Sequence, residues 1–226
     1  MLRIFIGYDE IESLAYHVLV QSIIKHTRHP VAITPLKLSM LPMFDRPKAQ
    51  EQSNEFTYSR FLVPFLSGYQ GVSIYMDCDM MLRCDIQGLL MHCDLSKPVC
   101  CVKHDYTPKQ TTKYLGNKQE AYPRKNWSSL MVFNNAKCRN LTKEYVESAA
   151  PADLHRMSWT DEVGGIPLEW NHLVGEYEPN PKARLAHWTN GGPWFSGYEN
   201  AEFANEWFQL FWDTTNVVDR TALLRG

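Results

Sequence analysis

The segment Ser73-Ile74-Tyr75-Met76-Asp77-Cys78-Asp79-Met80-Met81-Leu82 constrains the fold most. It reads as a buried β-strand that ends in two carboxylates two residues apart. In an extended chain, residues i and i+2 share a face. Asp77 and Asp79 therefore present two oxygen ligands to one side, with Cys78 turned away. Hard divalent cations such as Mg²⁺ and Mn²⁺ take such ligands and share themselves with substrate phosphates. The pattern points to a metal–diphosphate site at a strand end. The competing reading is a pair of solvated turn aspartates.

A chain of 226 residues is expected to form one large domain with a sizeable core. Hydrophobic residues make up 44% and charged ones 21%, so disorder is not indicated. Seven Trp and eleven Tyr suit either a dense core or a site that stacks bases and sugars. The net charge of −2 excludes a general polyanion binder. The charge is nevertheless uneven. Residues 97–143 hold ten basic side chains against two acids, Asp105 and Glu120, which reads either as solvated surface or as a basic lip around an anionic substrate. Six cysteines show no metal-finger spacing and sit in or beside apolar runs, so a reduced, cytoplasmic setting is expected. The first residues run straight into a strand pattern and resemble no signal peptide. No apolar stretch is long enough to span a membrane.

Along the chain, residues 2–6 read as a first strand, 12–25 as a helix and 31–38 as a second strand, the opening of an α/β fold with a parallel sheet. A loop is expected over 41–55 and an apolar-aromatic helix over 57–65. After the aspartate pair come a short helix at 86–91 and a strand at 99–102. Residues 106–125 read as a long mobile loop. A strand at 129–133 and a helix at 141–150 follow, with 161–165 short and irregular. The last strand is expected at 183–187, before Gly191-Gly192-Pro193. A final amphipathic helix at 201–212 carries Phe203, Trp207, Leu210 and Phe211 on one face.

Taken in order, these pieces resemble the glycosyltransferases of family 8 and their relatives with the GT-A fold. The matching residues are Gly7-Tyr8-Asp9 after the first strand, Tyr58-Ser59-Arg60-Phe61, Asp77-Cys78-Asp79, Asp85-Ile86, Asp161-Glu162, Trp170-Asn171 and the run from His187 to Trp194. The resemblance covers about residues 4–194. It implies an α/β fold, a mixed, mostly parallel sheet flanked by helices. Residues 1–226 would form a single catalytic domain, with 198–226 a C-terminal helical extension. It also implies a metal-dependent transferase that moves a hexose from a nucleotide-sugar, UDP-linked, with retention of configuration. The acceptor is left open among glycan, lipid-linked saccharide, protein and modified nucleic acid.

The resemblance also assigns roles. Asp77, Asp79 and His187 would hold the metal, Mn²⁺ in preference to Mg²⁺ because imidazole favours softer ions. Gly7, Tyr8 and Asp9 would receive the nucleotide, with Tyr8 stacking on the base and Asp9 accepting from a base N–H. Helix capping is the competing role for Asp9. Tyr58, Cys78 and Asp105 belong to the same donor-binding set. Arg60 would reach phosphate or sugar oxygens. Asp161 would hold sugar hydroxyls, and Glu162 stands where the family usually has glutamine. Two features depart from the pattern. The turn before the middle strand reads Asn126-Trp127-Ser128-Ser129, and Gly192 replaces a lysine that neutralises diphosphate. Backbone N–H groups of Gly191 and Gly192, or a cation from 97–143, would have to compensate. The alternatives are a non-catalytic nucleotide-binding protein on the same fold and a haloacid-dehalogenase-like phosphatase.

Overall fold

The computed structural model describes residues 1–46, 54–117, 119 and 121–215. The expectations for 47–53 and 216–226 lie outside the described residues. The first half contains β1 (Leu2–Gly7), α1 (Ser13–His26), β2 (Val31–Leu36), α2 (Val63–Leu66), β3 (Val72–Met76), β4 (Met80–Leu82), α3 (Gln87–Leu90) and β5 (Val99–Val102). The second half contains β6 (Leu130–Asn134), α4 (Lys143–Ser148), α5 (Pro151–His155), β7 (Val163–Ile166), β8 (His172–Leu173), β9 (Leu185–His187) and α6 (Ala204–Thr215).

The main sheet has the order β2-β1-β3-β6-β5-β7, and only β6 runs against its neighbours. The expected mixed, mostly parallel α/β sheet is thus present. Its strands are apolar runs such as Val99-Cys100-Cys101-Val102, all buried, as a sheet covered on both faces requires. The C-terminal ends of β1, β3, β5 and β7 share one edge with the start of β6, where Met76 faces Leu130. A second sheet, β4-β9-β8, begins immediately after the aspartate pair.

Several local expectations are corrected. Residues 161–165 are not irregular: Val163–Ile166 pairs in parallel with β5. Glycines are poor strand formers, but a Cβ at Gly164 would sit 2.4 Å from Cys100 Sγ, so close packing excludes a larger residue. The helix expected at 141–150 stops at Ser148, and Pro151 starts a new helix at its first turn. Within 57–65 the chain makes a turn and a 3₁₀ segment, Ser59–Leu62, and only Val63 onward is α-helical, in α2. The described residues of 106–125 hold one short 3₁₀ turn, Tyr114–Gly116, and are bonded to later parts of the chain. Glu176 accepts from the Lys109 N–H and from Gln119, and the Tyr114 N–H donates to the Asn190 carbonyl.

Helix α6 packs Trp207 and Leu210 into a small second core with Val18 of α1, Met81 of β4 and Trp188. No helix among the described residues is long and apolar enough to cross a membrane.

Helix α1 also anchors the second sheet. The buried Ser22 hydroxyl donates to the Leu19 carbonyl and accepts the Leu82 N–H at 3.0 Å. Ser22→Ala leaves that N–H without a partner. It should cost about 1–3 kcal/mol in urea unfolding, and an unchanged midpoint would contradict this anchoring.

Candidate metal and donor site

Two strand pairings assemble the site. Asp77 follows β3, and its N–H donates to the Ser129 carbonyl at 2.9 Å. Asp79 precedes β4, whose Met80 pairs with His187 on β9. The Trp188 N–H donates to the Asp79 carbonyl at 2.9 Å. A histidine about a hundred residues downstream is thereby set beside the aspartate pair. Ligand atoms of Asp77, Asp79 and His187 lie within 4.8 Å of one another, and all three residues are buried. Cys78 is fully buried on the core side, as the two-residue alternation expects.

A chain of hydrogen bonds fixes the imidazole. The Ser129 hydroxyl spends its proton on the Asn126 carbonyl at 2.7 Å, so it accepts from Asn171 Nδ2 at 2.9 Å. That leaves Asn171 Oδ1 facing His187 Nδ1 at 2.8 Å as an acceptor, and Nδ1 carries the proton. The Nε2 lone pair then points to Asp79 Oδ1, 3.3 Å away. Asp79 Oδ1 is itself buried without a hydrogen-bond donor. Three acceptors converge with nothing positive between them, an arrangement that a divalent cation satisfies.

Electrostatics divide the two aspartates. Arg60, 5% exposed, lies 3.0 Å from Asp77 Oδ1 and 3.2 Å from Oδ2, and Tyr75 donates to Oδ1 at 2.6 Å. Burial still pushes the Asp77 carboxyl above the ordinary range, against the pull of Arg60. Burial works against a charge on Asp79 as well, but a positive charge on the His187 ring and on Lys113 outweighs it and holds that carboxyl below the usual range, the part a bound cation plays when Nε2 is a lone pair.

Other sequence candidates fall in different places. Asp9 is a cap: its Oδ1 accepts from the Ile11 N–H and its Oδ2 from the Glu55 N–H, both at 3.0 Å. Tyr8 is half-buried, with Lys37 Nζ 5.1 Å above its ring. Gly7 is required by packing, since a Cβ would lie 2.4 Å from the Phe56 ring. Tyr58 is buried under the Arg46 guanidinium, 3.9 Å from its ring, and is part of the core. The Gly191 N–H closes a turn onto the Trp188 carbonyl and is not free for an anion. At φ +127°, with Tyr114 and Tyr198 about 3 Å from where a Cβ would be, that position calls for glycine. Gly192 lies under Trp194, 2.2 Å from its would-be Cβ. Asp105 is exposed at the end of β5.

Asp161 and Glu162 are not brought to the cluster. They precede β7, whose Val163 pairs with Val99, and Val99 pairs through Phe133 with Ser73, the far end of β3. Ser73 is four residues before Asp77 and Glu162 lies one residue further still, roughly 16 Å of rise along the strand direction. Glu162 is exposed there and pairs with Lys97 at 2.6 Å.

The structure adds Glu12, which sequence reasoning missed. It is 2% exposed, accepts from the Tyr114 hydroxyl at 3.1 Å, and is pushed well above the usual carboxylate range by burial and by the charge of Asp79. A glutamate at the start of an amphipathic helix reads as a solvated first-turn acid, so no signal marked it. Lys113, from the basic segment, acts on both Glu12 and Asp79.

The relay to His187 is open to test. Asn171→Ala frees Nδ1 and lets the ring change tautomer. The affinity for Mn²⁺, measured by calorimetric titration, should fall by about 10–100-fold. Wild-type affinity in that variant would show that the relay does not prepare the ligand.

No protein-family model matches the chain. Solved glycosyltransferases share its architecture. The bifunctional glycosyltransferase WbbM aligns with a TM-score of 0.63 at 14% identity, over 99% of this chain and 51% of that one. The galactosyltransferase LgtC, in complex with donor and acceptor sugar analogues, aligns with a TM-score of 0.61 at 12% identity, over 98% and 99%. GlyE of Streptococcus pneumoniae TIGR4 gives 0.62 at 12%, over 100% and 63%. The chain thus spans about half of WbbM and nearly all of LgtC. At these identities the likeness establishes the fold, that of GT-A glycosyltransferases. In sequence, 44% of 217 residues are identical to Protein CDI of Arabidopsis thaliana, over 91% of this chain and 84% of that protein, and the chain belongs to the same family.

Proposed function

We propose that this chain is a metal-dependent glycosyltransferase that moves a hexose from a UDP-sugar to an acceptor with retention of anomeric configuration. The observation that carries the reading is the buried Asp77–Asp79–His187 cluster at the sheet edge of a glycosyltransferase fold. A divalent cation held there supplies Lewis-acid stabilisation of the leaving diphosphate.

The protein's own groups do the rest. Arg60 holds Asp77 in place and offsets its charge, a positioning role rather than the direct donor contact expected from sequence. Asn171 presents His187 Nε2. Lys113 lends positive charge near Asp79 and stands in for the lysine that Gly192 replaces. Burial keeps water from the three ligands and strengthens these interactions. The six unpaired cysteines support a reducing, cytoplasmic setting.

Retention is supported by the carboxylate inventory. An inverting reaction needs a general base near the acceptor hydroxyl. Asp77 and Asp79 face the cation position, Asp9 caps a turn, and burial favours the neutral form of Glu12. Asp161 and Glu162 are at the far end of the sheet, which leaves the exposed Asp105 as the one acid an inverting reaction would have to use. In the proposed step the bond from the anomeric carbon to phosphate breaks, and the acceptor oxygen bonds to that carbon on the same face. The acceptor's proton passes to the departing diphosphate oxygen.

Asp79→Asn removes one ligand charge at constant shape. It should lower Mn²⁺-dependent turnover of a UDP-hexose, including slow hydrolysis, by orders of magnitude while the melting temperature holds. Glu162→Gln should keep near-normal turnover. Full activity in the first variant, or its loss in the second, would contradict the assignment.

A further inference from the structure

The donor residues occupy the ends of β1 and β3. Past the start of β6 along the same edge, the end of β5 opens into a cleft of about 310 Å³ lined by residues 104–107 and 121–125. It is tied to the metal cluster on two sides. Asn126 Nδ2 donates to Tyr106 in the cleft at 2.8 Å and to Thr189, just after His187, at 3.3 Å. Tyr122 in the lining feels the charges of both Arg60 and Asp77.

Apart from Asp105, its polar groups are not among the donor-binding residues expected from sequence. Arg124 lines it and donates to the Arg156 carbonyl, and Lys103, next to the lining residue His104, shares an indole with it: the Arg124 guanidinium is 5.1 Å and Lys103 Nζ 5.8 Å from the Trp127 ring. Lys125 lines the cleft beside them, and Asp105 is the one acid in the lining. His104 is 5% exposed, and its Nδ1 lies 2.9 Å from the Tyr177 hydroxyl. His104 Nε2 is buried and has no hydrogen-bond partner among the described residues, an acceptor or donor position that a ligand can satisfy. Lys113, whose charge acts on Glu12 and Asp79, is not part of the lining.

On the glycosyltransferase reading above, we propose that this cleft is the acceptor site and that it selects an acceptor bearing a phosphate group. A phosphate monoester carries close to two negative charges and several acceptor oxygens. Those match the excess of cations over Asp105 and give His104 Nε2 a partner when it carries the proton.

Calorimetric titration of glucose 6-phosphate and of glucose into protein saturated with UDP and Mn²⁺ tests the proposal. Glucose 6-phosphate should bind at least about tenfold more tightly than glucose, and the preference should shrink as salt rises. The exposed pair Lys103→Gln and Arg124→Gln should reduce that preference by about tenfold, with UDP and Mn²⁺ affinity and melting temperature unchanged. Equal binding of the two sugars, or a preference that survives the double substitution, would overturn the proposal. Failure of UDP and Mn²⁺ themselves to bind would instead overturn the donor reading on which it rests.

Discussion

Carboxylates seldom sit in a protein interior unless something positive answers them, and this fold buries two of them against the lone pair of a histidine. Much else in the structure follows from that constraint. Arg60 is buried so that Asp77 can be, and its Nη1 also donates to the Ser128 carbonyl, so it cannot swing away cheaply. Asn171 and Ser129 exist as a relay because the imidazole must offer one nitrogen and not the other. What remains uncompensated is the space between Asp79 and His187, which only a cation or a proton can serve.

The same site is built from distant chain segments held by polar side chains. Glu12 at the start of α1, Tyr114 in the middle loop and Asn190 in the late turn are linked by the Tyr114 hydroxyl and N–H, and Tyr114 stacks on Phe195 at 4.4 Å. Glu176 gathers Gln119 and Asn190. The loop that looks mobile in sequence is therefore a wall of the site, stabilised by buried hydrogen bonds rather than by an apolar face.

Sequence made the centre of the site legible because its chemistry is local. An apolar run, an i, i+2 aspartate pair and a late histidine before a glycine turn survive as pattern. The order of sheet elements was legible for the same reason, since β1, β3, β5 and β6 are mostly apolar runs. Asp161 and Glu162 were misplaced because β7 is hidden by Gly164 and Gly165, and without that strand the end of the sheet they occupy cannot be seen. Glu12 escaped, and the choice between the two roles read for Asp9 stayed open, for a different reason. Whether an acid near a helix start is solvated, caps a turn or faces a buried cluster depends on tertiary contacts such as Tyr114 and the Glu55 N–H.

The central claim is that Asp77, Asp79 and His187 Nε2 form one divalent-cation site. Proton NMR of the histidine ring signals during titration with Mn²⁺ tests it directly, because the paramagnetic ion broadens only nearby nuclei. The account predicts that His187 broadens at a small fraction of an equivalent while exposed His29 stays sharp, and that Asp79→Asn removes the selectivity. Uniform broadening of all histidines, or a sharp His187 at a full equivalent of Mn²⁺, would contradict it.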